Sequence, residues 1–266
     1  MSSGRGLSGL AKGIVAALIP LGVLTARDAL ADGPAHSLYF APPQVETQAP
    51  TKLSWDTNAS LYSSYMFRGL DLYDGLSLQP SVQPHIDLGP NGMLNAILWF
   101  QVPLQNRRGE SNFLELDTGL SYDYTWSRAT FSLGNYWYTF PTGESPLPSR
   151  TEVWGAVALD TMLAPTFTVY YEYERYNMQY YDINLSHTFE KRGDGAFNVT
   201  FFVDIGFASN AEQVYAENGL EQVTYGASTE IDLAGVALSP VISYTQSEDA
   251  NTVNKVWGGL NAGYSF

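Results

Sequence analysis

From Leu53 to Phe266 the chain alternates apolar and polar residues with a period of two. Over 113–125, Leu114, Leu116, Thr118, Leu120, Tyr122 and Tyr124 fall on one face. Glu115, Asp117, Gly119, Ser121 and Asp123 fall on the other. The same alternation predicts twelve strands, over 53–69, 76–88, 93–104, 113–125, 129–140, 151–162, 166–175, 180–191, 196–207, 221–233, 237–247 and 252–266. Turn signals separate them, among them Gly89-Pro-Asn-Gly92, Leu163-Ala-Pro165 and Gly193-Asp-Gly195. No heptad and no helical stripe longer than one turn interrupts the pattern. Two prolines, Pro80 and Pro84, stand inside the second strand, where each removes a ladder donor and calls for an irregularity.

The connections alternate in length. They are short after the second, fourth, sixth, eighth and tenth strands, and longer after the first, third, fifth and ninth, the asymmetry of bacterial outer-membrane barrels. An even strand count places both ends of the wall on the periplasmic side. The last strand finishes on Tyr264-Ser265-Phe266, an ending that an open, soluble edge strand would make a liability. A closed barrel has no edge. Tyr264 and Phe266 therefore read as the closure and assembly signal, with outer-membrane lipid and the barrel assembly machinery as partners. The expected fold is all-β, a transmembrane antiparallel up-and-down β-barrel of about 12 strands. The alternative is a secreted β-sandwich. Strands of about a dozen residues favour the barrel, because sandwich strands usually hold about 5–6.

Composition fits this picture. Aromatic residues reach 14% with 18 Tyr, while charged residues are only 15%. No other run resembles a membrane-spanning helix. Residues 1–31 read as a leader: Arg5 and Lys12 precede an apolar stretch from Gly13 to Thr25, and Ala29-Leu30-Ala31 is a small-x-small cleavage site. Removing the leader takes away Arg5, Lys12 and Arg27 against a single acid, Asp28, and so deepens a formal net charge of −14. Residues 32–52 hold four prolines and read as a periplasmic arm, followed by the barrel over 53–266. The acidic balance excludes nucleic acid as partner. With no Cys, disulfides and thiolate metal sites are excluded too.

Ser63-Ser-Tyr-Met-Phe-Arg-Gly69, followed by Asp71-Leu-Tyr-Asp-Gly75 and Leu78-Gln-Pro80, resembles the start of the TorF family of porins. Gly119-Leu-Ser-Tyr122, Tyr136-Trp-Tyr-Thr-Phe-Pro141 and Thr151-Glu-Val-Trp154 are similar to further family positions. The Phe67-Arg68-Gly69 step is the specific part. The resemblance implies an outer-membrane barrel of pore type and names no substrate.

The polar face carries the candidate chemistry. Arg68, Glu115, Asp117, Glu172, Glu174, Asp182, Asp204 and Glu230 are the expected pore-lining residues. An acid-lined lumen concentrates cations and repels anions. A lower set, Asp56, Asp87, Asp123, Asp160, Glu190 and Asp232, reads equally well as lumen or as turn chemistry. Arg68, at the outer end of the first strand, is either a constriction arginine or a structural partner for the acids, and the structural role is favoured. Catalytic readings are weak. Of three histidines, His36 lies in the arm, His85 on the polar face and His187 on the lipid face, with no clear Ser or Asn neighbour. No metal-spaced cluster and no cofactor motif appears. Ser247-Glu-Asp-Ala-Asn251 reads as a solvated acidic loop before it reads as a Ca²⁺ loop. The function expected is a narrow channel for passive diffusion of small solutes, cations preferred. The alternatives are a non-conducting structural or binding barrel and a lipid hydrolase built on His187.

Overall fold

The computed structural model describes residues 53–105, 113–142, 145, 147–190 and 198–266. The leader, the proline-rich arm and the Gly193-Asp-Gly195 turn lie outside them. The strands are β1 (Leu53–Tyr62), β2 (Tyr65–Phe67), β3 (Leu70–Tyr73), β4 (Ser77–Asp87), β5 (Gly92–Pro103), β6 (Glu115–Trp126) and β7 (Ala129–Thr139). They continue with β8 (Arg150–Leu159), β9 (Thr166–Glu172), β10 (Gln179–Phe189), β11 (Asn198–Ser209), β12 (Gly219–Leu233), β13 (Val236–Ser247) and β14 (Lys255–Ser265). Twelve of them, β1 and β4 to β14, close an antiparallel barrel in which each strand pairs with its sequence neighbours and β14 returns to β1. β2 and β3 form a separate two-stranded hairpin.

Side-chain parity decides between membrane barrel and soluble sandwich. Leu120, Leu133, Phe167, Phe201, Ile242 and Val256 point outward and are exposed, Leu133 at 64% and Val256 at 65%. A closed wall coated in apolar residues satisfies its backbone internally and needs lipid outside. Tyr122, Tyr124, Trp126, Tyr264 and Phe266 lie on this outer face at the end carrying the short turns. Trp137, Tyr171, Tyr173 and Tyr244 lie on it at the other end. These are the two aromatic girdles of a bilayer-spanning barrel. The expectation of a twelve-stranded transmembrane barrel holds.

The seam is zipped to the last residue. β1 pairs with β14 from Asp56↔Ser265 to Tyr62↔Gly259. Trp55 and Phe266 then exchange both main-chain hydrogen bonds, at 2.8 and 2.9 Å. Inside, the Tyr62 ring lies across Gly259, where an added Cβ would stand 2.1 Å from the ring. Gly226 gives way in the same manner to Phe202 on the neighbouring strand. Pro80 and Pro84 keep their register with β1 and interrupt the β4–β5 ladder instead. The ladder loses bonds on the side where the missing N–H groups would have donated.

One boundary differs from expectation. The strand read over 53–69 leaves the wall at Tyr62. Tyr65–Phe67 and Leu70–Tyr73 then pair with each other, around a turn in which Arg68 (φ +49°) and Gly69 (φ +81°) are both left-handed. Two positive φ values are the signature of a type I′ hairpin turn. Gly69 suits it. An Arg in the left-handed region costs energy that other contacts must offset.

Candidate functional site

The inward face of the wall changes character along the barrel axis. Toward the short-turn end it carries small polar groups: Ser121, Thr130, Thr166, Thr168, Thr200, Ser228, Ser239 and Asn261. In the other half, the end carrying the longer connections, it carries rings: Trp99, Tyr136, Tyr138, Trp154, Tyr170 and Tyr180, all buried. These rings face the β2–β3 hairpin, which folds inward and fills that half.

The hairpin reaches both walls because successive β2 side chains point in opposite directions. Tyr65 packs on Trp99 and Phe113, with centroids 5.8 and 6.2 Å away, and Phe67 packs edge-on against Tyr138 at 6.0 Å. Met66 turns the other way, into a cluster with Tyr62, Phe202, Val241 and Trp257. Tyr65, Met66 and Phe67 are all at most 2% exposed. Filling the lumen with apolar side chains removes them from water, at about 25 cal/mol per Å² of apolar surface.

Arg68 sits at the hairpin tip, 2% exposed, and forks onto Glu152 of β8. Nη1 donates to Oε1 at 2.9 Å and Nη2 to Oε2 at 2.8 Å. The Tyr138 hydroxyl donates to the same Glu152 Oε2 at 3.0 Å. The guanidinium carbon lies 4.1 Å from the Tyr170 centroid, 4.6 Å from Tyr180 and 4.8 Å from Phe67. A planar cation with a bidentate partner and stacked rings suits such a pocket better than an ammonium would. These contacts offset the left-handed backbone of Arg68. Arg68 thus faces the lumen among carboxylates, but from an inserted turn and not from the wall.

The loops on the same side hold the tip from above. The Tyr215 hydroxyl donates to the Arg68 carbonyl at 3.0 Å, and Val253 N–H donates to the Gly69 carbonyl at 3.1 Å. Lys255 pairs with Asp71 and Asp74 on the returning limb. The Tyr73 hydroxyl donates to the Gln105 carbonyl. The 208–220 connection supplies Tyr215 to the closure, while the body of the plug comes from the first connection.

The other expected pore residues divide. Glu115 and Asp117, the first and third residues of β6, are fully buried beside the hairpin and Arg150. Asp182 and Asp204 meet lower down, where Asp204 also accepts from Gln222 Nε2 at 2.6 Å. Glu230 faces inward near the short-turn end, half-buried. Glu172 is different. Its carboxylate accepts from the main-chain N–H groups of Glu174, Arg175 and Tyr176, so it caps the β9–β10 connection. Glu174 lies beyond the strand, exposed, accepting from the Thr151 hydroxyl at 2.9 Å. Glu172 keeps to the inward face of β9, buried opposite Glu152, with its carboxylate taken up by this cap. Glu174 leaves that face, because the chain turns after Glu172.

Glu152, Arg150 and His85 carry more of the site than the sequence reading gave them. His85 has Nδ1 2.7 Å from Asn95 Oδ1 and Nε2 3.0 Å from Asp56 Oδ2. Asn95 Nδ2 donates onward to Asp123 at 2.8 Å, which fixes its oxygen toward the histidine. Asp56 and Asp123 belong to this lumenal chain. Asp87 and Asp232 bind the N–H groups of Gly89 and Gly235 and are turn caps. His187 lies on the outer face, with Nδ1 2.7 Å from the Met162 carbonyl and its ring on Phe189. Among the described residues it has no Ser or Asn partner. Among them also, no group of three or more His, Asp or Glu could hold a metal ion.

No protein-family model matches the chain, and no curated protein matches it by sequence. Its shape is similar to that of LpxR from Salmonella typhimurium, with a TM-score of 0.53 and 11% identity over 79% of this chain and 99% of that one. It is also similar to an outer membrane channel from Pseudomonas putida F1, with a TM-score of 0.50 and 10% identity over 85% of this chain and 100% of that one. The KdgM porin gives 0.47 and 10% over 80% and 99%. What is shared is the outer-membrane barrel. At such identities the likeness carries the fold alone, and the lumen must be read from its own residues.

Proposed function

We propose that the protein is an outer-membrane channel for small hydrophilic solutes, cations preferred, in its closed conformation. One observation carries the reading: the lumen is blocked by a hairpin that shares no ladder with the wall. The wall itself is complete without it. Below the hairpin the lumen is polar, as a water-filled path requires, and Asp56, Asp123, Asp182, Asp204 and Glu230 supply a negative potential there. The likeness of Phe67-Arg68-Gly69 to the TorF family supports the same reading and locates the family step at the tip of the hairpin.

The aromatic packing of the outer half favours a second reading, a barrel permanently sealed for a structural role. One variant separates the two. Tyr62 and Ser77 are register partners, so residues 63–76 can be replaced by a two-residue Asn-Gly turn without disturbing β1 or β4. In planar bilayers this variant should give steady channels with a reversal potential favouring cations, and the natural chain brief openings. A silent variant that still folds as a barrel would leave only the structural role. Anion-favouring reversal potentials would remove the cation preference and keep the channel.

A further inference from the structure

We infer that Glu115 and Asp117 form a proton-binding site that governs the seating of the hairpin, so that acid holds the lumen closed and rising pH releases it. Both residues are fully buried, and none of their four carboxylate oxygens has a partner in full hydrogen-bond geometry, the nearest donors being the Tyr65 hydroxyl beside Glu115 and the Thr139 main chain beside Asp117. Gln101, the register partner of Glu115 across the β5–β6 ladder, is also fully buried, and both of its amide atoms lack partners. A buried carboxylate with so few donors is costly when ionised. Among the described residues, the titratable and charged groups facing the pair come from the hairpin and from β7 and β8. They are Tyr65 from the hairpin, Tyr138 from β7, Arg150 and Glu152 from β8, and Arg68 from the hairpin tip through Glu152.

Counting formal charge decides what fills the site. Among the described residues, Glu115, Asp117 and Glu152 oppose Arg68 and Arg150, so this set carries one uncompensated negative charge. Arg68 and Glu152 satisfy each other. Arg150 Nη1 and Nη2 make no hydrogen bond, and its Nε stands 3.9 Å from Glu152. One proton or one monovalent cation would neutralise the set. With Glu115, Asp117 and Gln101 at 0% exposure, a hydrated ion finds no room, and a proton needs none. When the hairpin lifts, water solvates both carboxylates and they ionise. The seated state therefore holds one proton more than the lifted state, and seating weakens as pH rises.

The inference rests on the hairpin being the movable part of the proposed channel, but its test does not need current. The natural chain has no Cys, so a single Leu72→Cys reports hairpin exposure to a water-soluble methanethiosulfonate. Its rate is taken relative to Ala250→Cys in an exposed loop, both in the refolded full chain. The ratio should rise with pH above the ordinary carboxylate range, by up to roughly tenfold per unit. In a Glu115→Gln, Asp117→Asn background it should stay low throughout. A ratio independent of pH, a high ratio at every pH, or an undiminished rise in that background would overturn the inference. Seating that follows sodium concentration at fixed pH would overturn the proton in favour of a metal ion. A pH-dependent ratio with no current even after hairpin replacement supports the proton site while removing the channel.

Discussion

At the scale of residues, Arg68 decides most. Its guanidinium has a bidentate carboxylate, three neighbouring rings and almost no solvent. Removing one member of such a buried pair leaves the other charged and unpaired, at a cost of about 3–5 kcal/mol. Arg68→Ala should therefore unseat the hairpin, seen as raised open probability in bilayers and faster labelling of Leu72→Cys. Arg68→Lys should restore little, because an ammonium cannot occupy both Glu152 oxygens and stack on Tyr170 and Tyr180. An Arg68→Ala chain as tightly closed as the natural one would show that the rings alone hold the tip. Arg68-Gly69 was visible in the sequence as a motif, and its partner was not. Glu152 lies 84 positions away, and it stands within a strand whose alternation gave it no distinction.

At the scale of elements, the wall was legible and its stopper was not. Period-two alternation located all twelve wall strands because lipid outside and polar groups inside impose opposite preferences on neighbouring residues. Inside the hairpin that contrast is lost. Tyr65, Met66 and Phe67 are all buried, and their alternation continues the phase of β1, so periodicity runs straight through the departure from the wall. The strand over 129–140 carries apolar residues on both faces: Tyr136 and Tyr138 point inward where Leu133 and Trp137 point outward. Apolar residues on both faces of a membrane strand mean that something apolar lies within. The hairpin should consequently contribute to stability as well as to closure. The chain with 63–76 replaced should keep the gel mobility of a folded barrel but unfold at a lower temperature. An unchanged midpoint would show that the stopper packs too loosely to matter.

At the scale of the whole molecule, the barrel is held by a seam that runs to the final residue. Deleting Phe266 removes both hydrogen bonds to Trp55 and an outward ring in the girdle. Assembly into outer membranes should fall sharply, measured as heat-modifiable protein in the membrane fraction. Undiminished assembly would count against the terminal residue as a signal. The even strand count, the aromatic ending and the turn asymmetry made this architecture readable, since each follows from closing a sheet in lipid. The buried rings around the hairpin carry a thermal consequence as well. Lifting the stopper would wet Trp99, Tyr138, Tyr170 and their neighbours, and hydrating apolar surface raises heat capacity. The enthalpy of opening then changes with temperature, and open probability should trace a curve, not a straight line, in a van't Hoff plot. A straight plot would mean that the rings stay dry when current flows. A barrel whose surroundings are oil would thus owe its temperature response to a hydrophobic core of its own.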